Sequence, residues 1–373
     1  MPPHPAIIAR VKFHLRWAAC LILVAAWGSA SADVFGDLRD SVHGVFQALV
    51  AQSASRDGDV DVEREVAALT RIIETGGLNG AGLSVAHFWR AQAQTAMNWS
   101  RMRRGMPVDK EAARTSLADL DRTIEHGVDI PDWHVAHSEA LYLAGTVARN
   151  HVEDSKLAYA YWEKCAALRH AGCLNIMASA RLTGAGGVAV DLAESLRLNE
   201  EVYQTGTDFR CAGAHSALVI AQVLHFTGAQ GRAVDDLGWL RRANDLLDEL
   251  ARDGTSDDLC GRSMFEVTQY LFALARGEDR KAVLTPAAPR KAGNAYKPLV
   301  DYLLGAIPPQ AFREALSAVS VKHVACRMNF AAAWHASLRN DPALAERHRA
   351  ALNQFGADHC AIENALLNLR RGG

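Results

Sequence analysis

The chain has little of what most function classes need. No stretch alternates apolar and polar residues between Asn-Gly or Asp-Gly turns for long enough to build a sheet, so strands are not expected. Positive charge is not in excess: 40 Lys and Arg stand against 42 Asp and Glu, a formal net charge of −2. That balance gives no basic field for nucleic acid. Proline is sparse at 11 residues and 49% of the chain is hydrophobic, which excludes collagen-like and disordered compositions. Beyond residue 27 no long apolar run remains, so no membrane span is expected there. No C-x-x-C pair is present. No G-x-S-x-G, G-x-x-x-x-G-K-[ST], H-E-x-x-H or G-x-G-x-x-G motif stands where a helix could use it. These absences leave no expected catalytic residue, metal or cofactor.

What is present starts with a leader-like N-terminus. Arg10, Lys12 and Arg16 form a positive segment, Trp17–Trp27 an apolar one, and Gly28-Ser29-Ala30-Ser31-Ala32 a run of small residues. This reads as a secretory signal peptide over residues 1–32, cut before Asp33. The apolar segment is too short to span a hydrocarbon core of about 30 Å at 1.5 Å per residue. Cys20 precedes the end of this segment, which argues against lipidation. The leader carries three basic and no acidic residues, so the remainder is net acidic by five charges. The expected location is periplasmic or secreted.

Six cysteines follow the leader: Cys165, Cys173, Cys211, Cys260, Cys326 and Cys360. An even number in an exported chain suggests disulfides, although sequence alone does not choose among the fifteen pairings. Spacing favours three. Cys165 and Cys173 flank the turn-like Arg169-His170-Ala171-Gly172. Cys326 and Cys360 open helical segments one hairpin period apart, and Cys211 and Cys260 do so one longer period apart. Buried free thiols are the plain alternative, and a metal site is disfavoured because no histidine shows ligand spacing.

From Asp33 onward the pattern is helical, with segments expected at 34–54, 60–75, 83–104, 109–126, 132–148, 154–170, 173–184, 190–205, 211–228, 232–252 and 259–276. Glycines end them and Asp or Ser caps them. Apolar and small residues step by three and four within segments, as at Ala86, Ala93 and Ala96. In 109–126 the inward set is Leu117, Leu120 and Ile124, with Asp119 and Asp121 outward. Paired helices on short loops predict an all-α fold, an α-solenoid of antiparallel helical hairpins, with a compact bundle as the alternative. Thr285-Pro286-Ala287-Ala288-Pro289 breaks the pattern. The expected layout is an array over 33–276, a linker or long loop over 277–297 and a C-terminal cap over 298–373.

Two stretches carry a family resemblance. Tyr161-Trp162-Glu163-Lys164-Cys165-Ala166, Ala171-Gly172-Cys173-Leu174-Asn175, Gly184-x-Gly186-Gly187-Val188 and Asp191 resemble the Sel1-like repeat, a relative of the tetratricopeptide repeat. The cysteine spacing is similar to that of cysteine-rich secreted members, whose hairpins are stapled. Near the C-terminus, Phe330-Ala331-Ala332-Ala333-Trp334, Leu338-Arg339-Asn340-Asp341-Pro342 and Ala345 resemble a closing tetratricopeptide hairpin of bacterial envelope proteins. The resemblance implies that Trp162, Ala333 and Trp334 pack between helices. It also keeps a second function open, an envelope hydrolase or cell-wall glycan-binding protein.

Individual residues suggest little chemistry. Gly184-Ala185-Gly186-Gly187 lacks the lysine and strand of a phosphate loop. His126, His134 and His137, with Asp132 and Glu139, form a polar cluster; His134 and His137 are expected on one helix face, which suits a solvated helix start better than a metal site. Trp99 and Trp133 are candidates for an exposed groove, although burial suits them as well. The expected function is a non-enzymatic scaffold or adaptor that holds a protein or peptide partner of the envelope in a concave groove. Its tentative binding residues are Arg90, Gln94, Asn98, His137, Asn175 and His215, polar positions beside the small packing residues.

Overall fold

The computed structural model describes residues 32–54, 62–127, 129–205, 210–228, 235–252, 262–278, 284, 296–319, 321–355 and 360–369. The leader, Cys260 and most of the expected linker therefore lie outside the described residues. Among the described residues there are helices and no strand beyond one isolated bridge. The chain divides into two compact units, residues 1–177 and 178–373.

In the first unit, helices follow one another as α1 (Ala32–Ala54), α2 (Glu63–Thr75), α3 (Gly80–Arg103), α4 (Lys110–His126), α5 (His137–Val147) and α6 (Ser155–Ala167), with α7 (Ala171–Thr183) crossing the division. Each of α1 to α5 packs on the next, and the first helices of successive hairpins, α1, α3 and α5, also touch. This is the packing order of the expected all-α solenoid. Local chemistry sets the ends. Asn79, Asp109 and Asp154 accept hydrogen bonds from the first free amides of α3, α4 and α6. Gly76 and Gly127 close α2 and α4 at φ of 68° and 67°, a left-handed conformation that costs glycine little. Small residues set the spacing. Gly145 of α5 faces the Trp162 indole of α6, and a Cβ there would lie 2.4 Å from Nε1.

The helix expected over 132–148 differs in the structure. Pro131–Trp133 is a 3₁₀ turn, His134 takes φ of 54°, and Ile130 pairs with Val135. The α-helix starts at His137, whose amide donates to the Asp129 carboxylate at 2.8 Å. His134 and His137 therefore share no helix face. At its C-terminal end α5 continues into a π turn, Ala148–Val152, which buries His151 completely.

The second unit contains α8 (Leu192–Thr205), α9 (Arg210–Thr227), α10 (Asp236–Arg252), α11 (Arg262–Ala275), α12 (Lys297–Leu304), α13 (Pro309–Ser317), α14 (Lys322–Leu338), α15 (Pro342–Gln354) and α16 (Ala361–Leu369). Helices α8, α9 and α10 pack in chain order, as do α14 and α15. Helix α14 also meets α11 and α16, and α16 returns to α9. The reason is composition: α14 is almost wholly apolar on its packed faces, with Phe330, Ala331, Ala332, Ala333 and Trp334 all buried. Trp334 lies in an aromatic cluster with Phe226, Phe272 and Phe330. Trp162, Ala333 and Trp334 thus pack between helices as expected, and Ala93 is fully buried as well.

Two of the three expected staples lie wholly within the described residues, and both are formed. Cys165–Cys173 closes the turn between α6 and α7, and Cys326–Cys360 ties α14 to the start of α16. For the expected Cys211–Cys260 pair, Cys260 lies outside the described residues. No helix among the described residues is long and apolar enough to cross a membrane.

Candidate functional site

A row of polar side chains in the first unit meets along one seam, between α3 and α4. Residues Ser84, His87, Arg90, Gln94 and Asn98 recur at steps of three and four on α3, so they share one face. Helix α4 runs back alongside, and its own polar positions meet them in reverse order. The Asn98 amide group donates to the Asp109 carbonyl and accepts from the Asp109 amide. Ser116 Oγ donates to Gln94 Oε1 at 3.0 Å, and Thr123 Oγ1 is within reach of the Ser84 carbonyl.

At the middle sits Asp119. Its carboxylate receives the Arg90 guanidinium as a fork, Nε at 2.7 Å and Nη2 at 2.8 Å, together with His87 Nδ1 at 2.7 Å. A carboxylate only accepts, so His87 Nδ1 carries the proton. Arg90 Nη1 donates to Thr70 Oγ1, which joins α2 to the set. Burial opposes the charge on Asp119, but the hydrogen bonds from His87 and Arg90, with their charge, outweigh it and hold the carboxyl below its ordinary value.

This placement corrects the outward assignment of Asp119, which is 1% exposed. The packed face of α4 is Ala113, Ser116, Asp119, Leu120 and Thr123, while Leu117 and Ile124 are only half-buried. Asp121 is half-buried and accepts from the Tyr161 hydroxyl of α6. Arg90 and Asn98, expected as solvated groove residues, are 8% and 1% exposed and hold the hairpin together. Gln94 is half-buried in the same seam. His137 and Asn175 are half-buried at the starts of α5 and α7. His215 belongs to the second unit, on α9 against the Phe265 ring. Withdrawal from water, helped by the charges of Arg327 and His323, pulls its pKa down to about 3.

The two candidate groove tryptophans are half-buried. Trp99 packs edge-on against His151, and the Trp133 carbonyl accepts from Trp89 Nε1. The polar cluster at His126, His134 and His137 does not converge: His134 is exposed and stacks on Phe46.

Three further features were not anticipated. A shallow cleft of about 300 Å³ lies between Asp121, Ile124 and Glu125 of α4 and Leu157, Tyr161 and Lys164 of α6. Burial, and then the bond to Asp121, raises the Tyr161 phenol, which stays a donor. In the second unit, Asp236 accepts from both His225 and Arg276, while the His225 ring stacks on Phe272 with centroids 4.3 Å apart. In the first, His170 sits beside the Cys165–Cys173 pair, the one group of His, Cys, Asp or Glu side chains among the described residues compact enough to hold a metal ion. Sequence spacing could not show it, because Arg169 at φ of 59° makes the turn that carries His170 there.

No protein-family model matches the chain, and no curated protein or solved structure matches it.

Proposed function

We propose that this chain is an exported helical-repeat scaffold of the tetratricopeptide and Sel1-like kind, which binds a protein or peptide of the bacterial envelope along the first helices of its hairpins. The observation that carries this reading is the α3–α4 seam. His87, Arg90 and Asp119, the residues with the most reactive chemistry on those helices, spend their hydrogen bonds on one another and on Thr70. A polar seam of this kind fixes the register of a hairpin, and a fixed hairpin is what a repeat scaffold presents to a partner. The leader-like N-terminus and two disulfides support an oxidising compartment outside the cytoplasm.

Burial of Arg90 and Asn98 moves the binding surface. In the first unit the half-buried positions of α5 and of the start of α7 suit it better: His137, Tyr142, Thr146 and Asn175. Tyr142 reaches the start of α7, where a Cβ on Gly172 would lie 3.0 Å from its ring. A periplasmic pull-down with the wild-type chain and with Tyr142→Ala plus Asn175→Arg tests the reading. Loss of a defined partner by the variant, with an unchanged circular dichroism spectrum, is expected. Retention of that partner, together with its loss on Glu163→Arg plus Lys164→Glu, would place the working surface on the opposite helices.

A further inference from the structure

The turn between α6 and α7 holds more than a staple. Cys165 ends the packed face of α6, Cys173 lies in the first turn of α7, and His170 stands between them. The two sulfurs and an imidazole nitrogen all lie within 4.8 Å of one another. Two thiolates and an imidazole are a ligand set that suits zinc.

The surroundings resemble those of a built metal site. His170 Nε2 is 3.1 Å from the Glu139 carboxylate. A carboxylate on one imidazole nitrogen orients the ring, the arrangement found behind zinc-ligating histidines. The imidazole edge lies against the start of α7, where a Cβ on Gly172 would lie 3.2 Å from its Cε1 and 3.4 Å from its Nδ1. The Tyr142 ring, 5.0 Å away between centroids, holds the imidazole plane. Cys173 sits at a helix N-terminus, where the backbone dipole favours a thiolate. Both sulfurs are buried, while Ala167, Leu168 and Arg169 on the turn beside them are exposed.

The disulfide and a metal exclude each other. We propose that reduction of Cys165–Cys173 converts this turn into a Zn²⁺ site of two thiolates and the His170 imidazole, with water in the fourth position. A dithiol reductant supplies the electrons: its two thiols become one disulfide, the Cys165–Cys173 bond breaks, and two cysteine thiols form. Zinc then displaces the two thiol protons. Tetrahedral geometry with Zn–S near 2.3 Å needs sulfurs about 3.8 Å apart, a separation that the bonded pair reaches by a small rotation of each side chain once the bond is cut. The turn would then exchange one cross-link for another and keep α6 and α7 joined in either redox state.

The test uses the full chain after the leader, oxidised or reduced with a phosphine and desalted without oxygen. Zinc is titrated against a chromogenic chelator, and Co²⁺ serves as the spectroscopic probe. The reduced protein should take up a zinc ion that the oxidised protein does not, and cobalt should give a thiolate charge-transfer band. His170→Gln should weaken binding at least about tenfold, and Glu139→Gln by about ten- to a hundredfold, because the Glu139 carboxylate orients the ligating imidazole. Cys326→Ser with Cys360→Ser should retain the site. Circular dichroism of the His170 and Glu139 variants separates lost binding from lost fold, and these two variants keep the test decisive if Cys165→Ser with Cys173→Ser unfolds. Absence of zinc uptake by the reduced protein overturns the proposal, as does binding that is indifferent to His170→Gln in a folded variant.

Discussion

Asp119→Ala is the substitution in which the physics of the first unit is most exposed. The carboxylate is 1% exposed and accepts from Arg90, 8% exposed, and His87, 5% exposed. Its removal leaves a guanidinium buried with Thr70 Oγ1 as its only remaining partner named above. Breaking a buried pair by deleting one member costs about 3–5 kcal/mol, because the surviving charge keeps its desolvation penalty. With urea slopes of about 1–3 kcal/mol per molar, the midpoint should fall by about 2 M. Replacement of the whole set, His87→Leu with Arg90→Met and Asp119→Leu, should recover most of that loss, since an apolar set of similar volume carries no such penalty. The pH profile gives a second reading. The Asp119 carboxyl is held below its ordinary 3.8, so its contribution is present above pH 3.8 and fades as pH falls through the folded value. Asp119→Ala should lack that acid limb. Urea titration at pH 7 and at low pH checks both. A cost under about 1 kcal/mol, or a triple variant as weak as the sum of its parts, would refute the argument that this seam is a closed buried ion pair.

Other regions give sharper local predictions. His151 is fully buried, neither ring nitrogen has a hydrogen-bond partner among the described residues, and burial followed by the Lys110 charge lowers its pKa from 6.5 to about 4. The unfolded chain therefore takes up its proton first, and stability should fall as pH drops from 6.5 toward 4. His151→Leu should remove up to roughly 3 kcal/mol of that slope in pH-dependent denaturation. Gly145→Ala should cost roughly 1–3 kcal/mol in thermal or urea melts, because the new methyl meets the Trp162 indole. Among the staples, Cys326–Cys360 closes 34 residues and Cys165–Cys173 closes 8. Loop-closure entropy then makes paired Cys→Ser changes cost about 4 and about 2–3 kcal/mol respectively, checked by unfolding and by non-reducing peptide maps.

Helix positions were legible because their ends are local. Segment 109–126 is found as Lys110–His126, since Asp109 caps it and Gly127 closes it, and both signals sit within a few residues of the helix. The Cys165–Cys173 link was legible for the same reason. The orientation of Asp119 was not. Leu117 and Ile124 suggested an apolar face, yet the partners that draw Asp119 inward are His87 and Arg90, some thirty residues earlier. The signal was present in the pair of helices: His87, Arg90, Gln94 and Asn98 on α3, read backwards against Asp109, Ser116, Asp119 and Thr123 on α4. A single helix cannot show it, which is why Arg90 and Asn98 were read as solvated. At 132–148, Pro131 and the left-handed His134 delayed the helix, and local apolar spacing does not record such a turn.

The most direct test of the scaffold reading is site-specific photo-crosslinking in the native envelope. A photoreactive residue placed at Asn175 should yield one defined protein adduct, and the same residue at Lys164, exposed on α6, should yield none. Adducts from Lys164 with none from Asn175 would contradict recognition along the first helices of the hairpins.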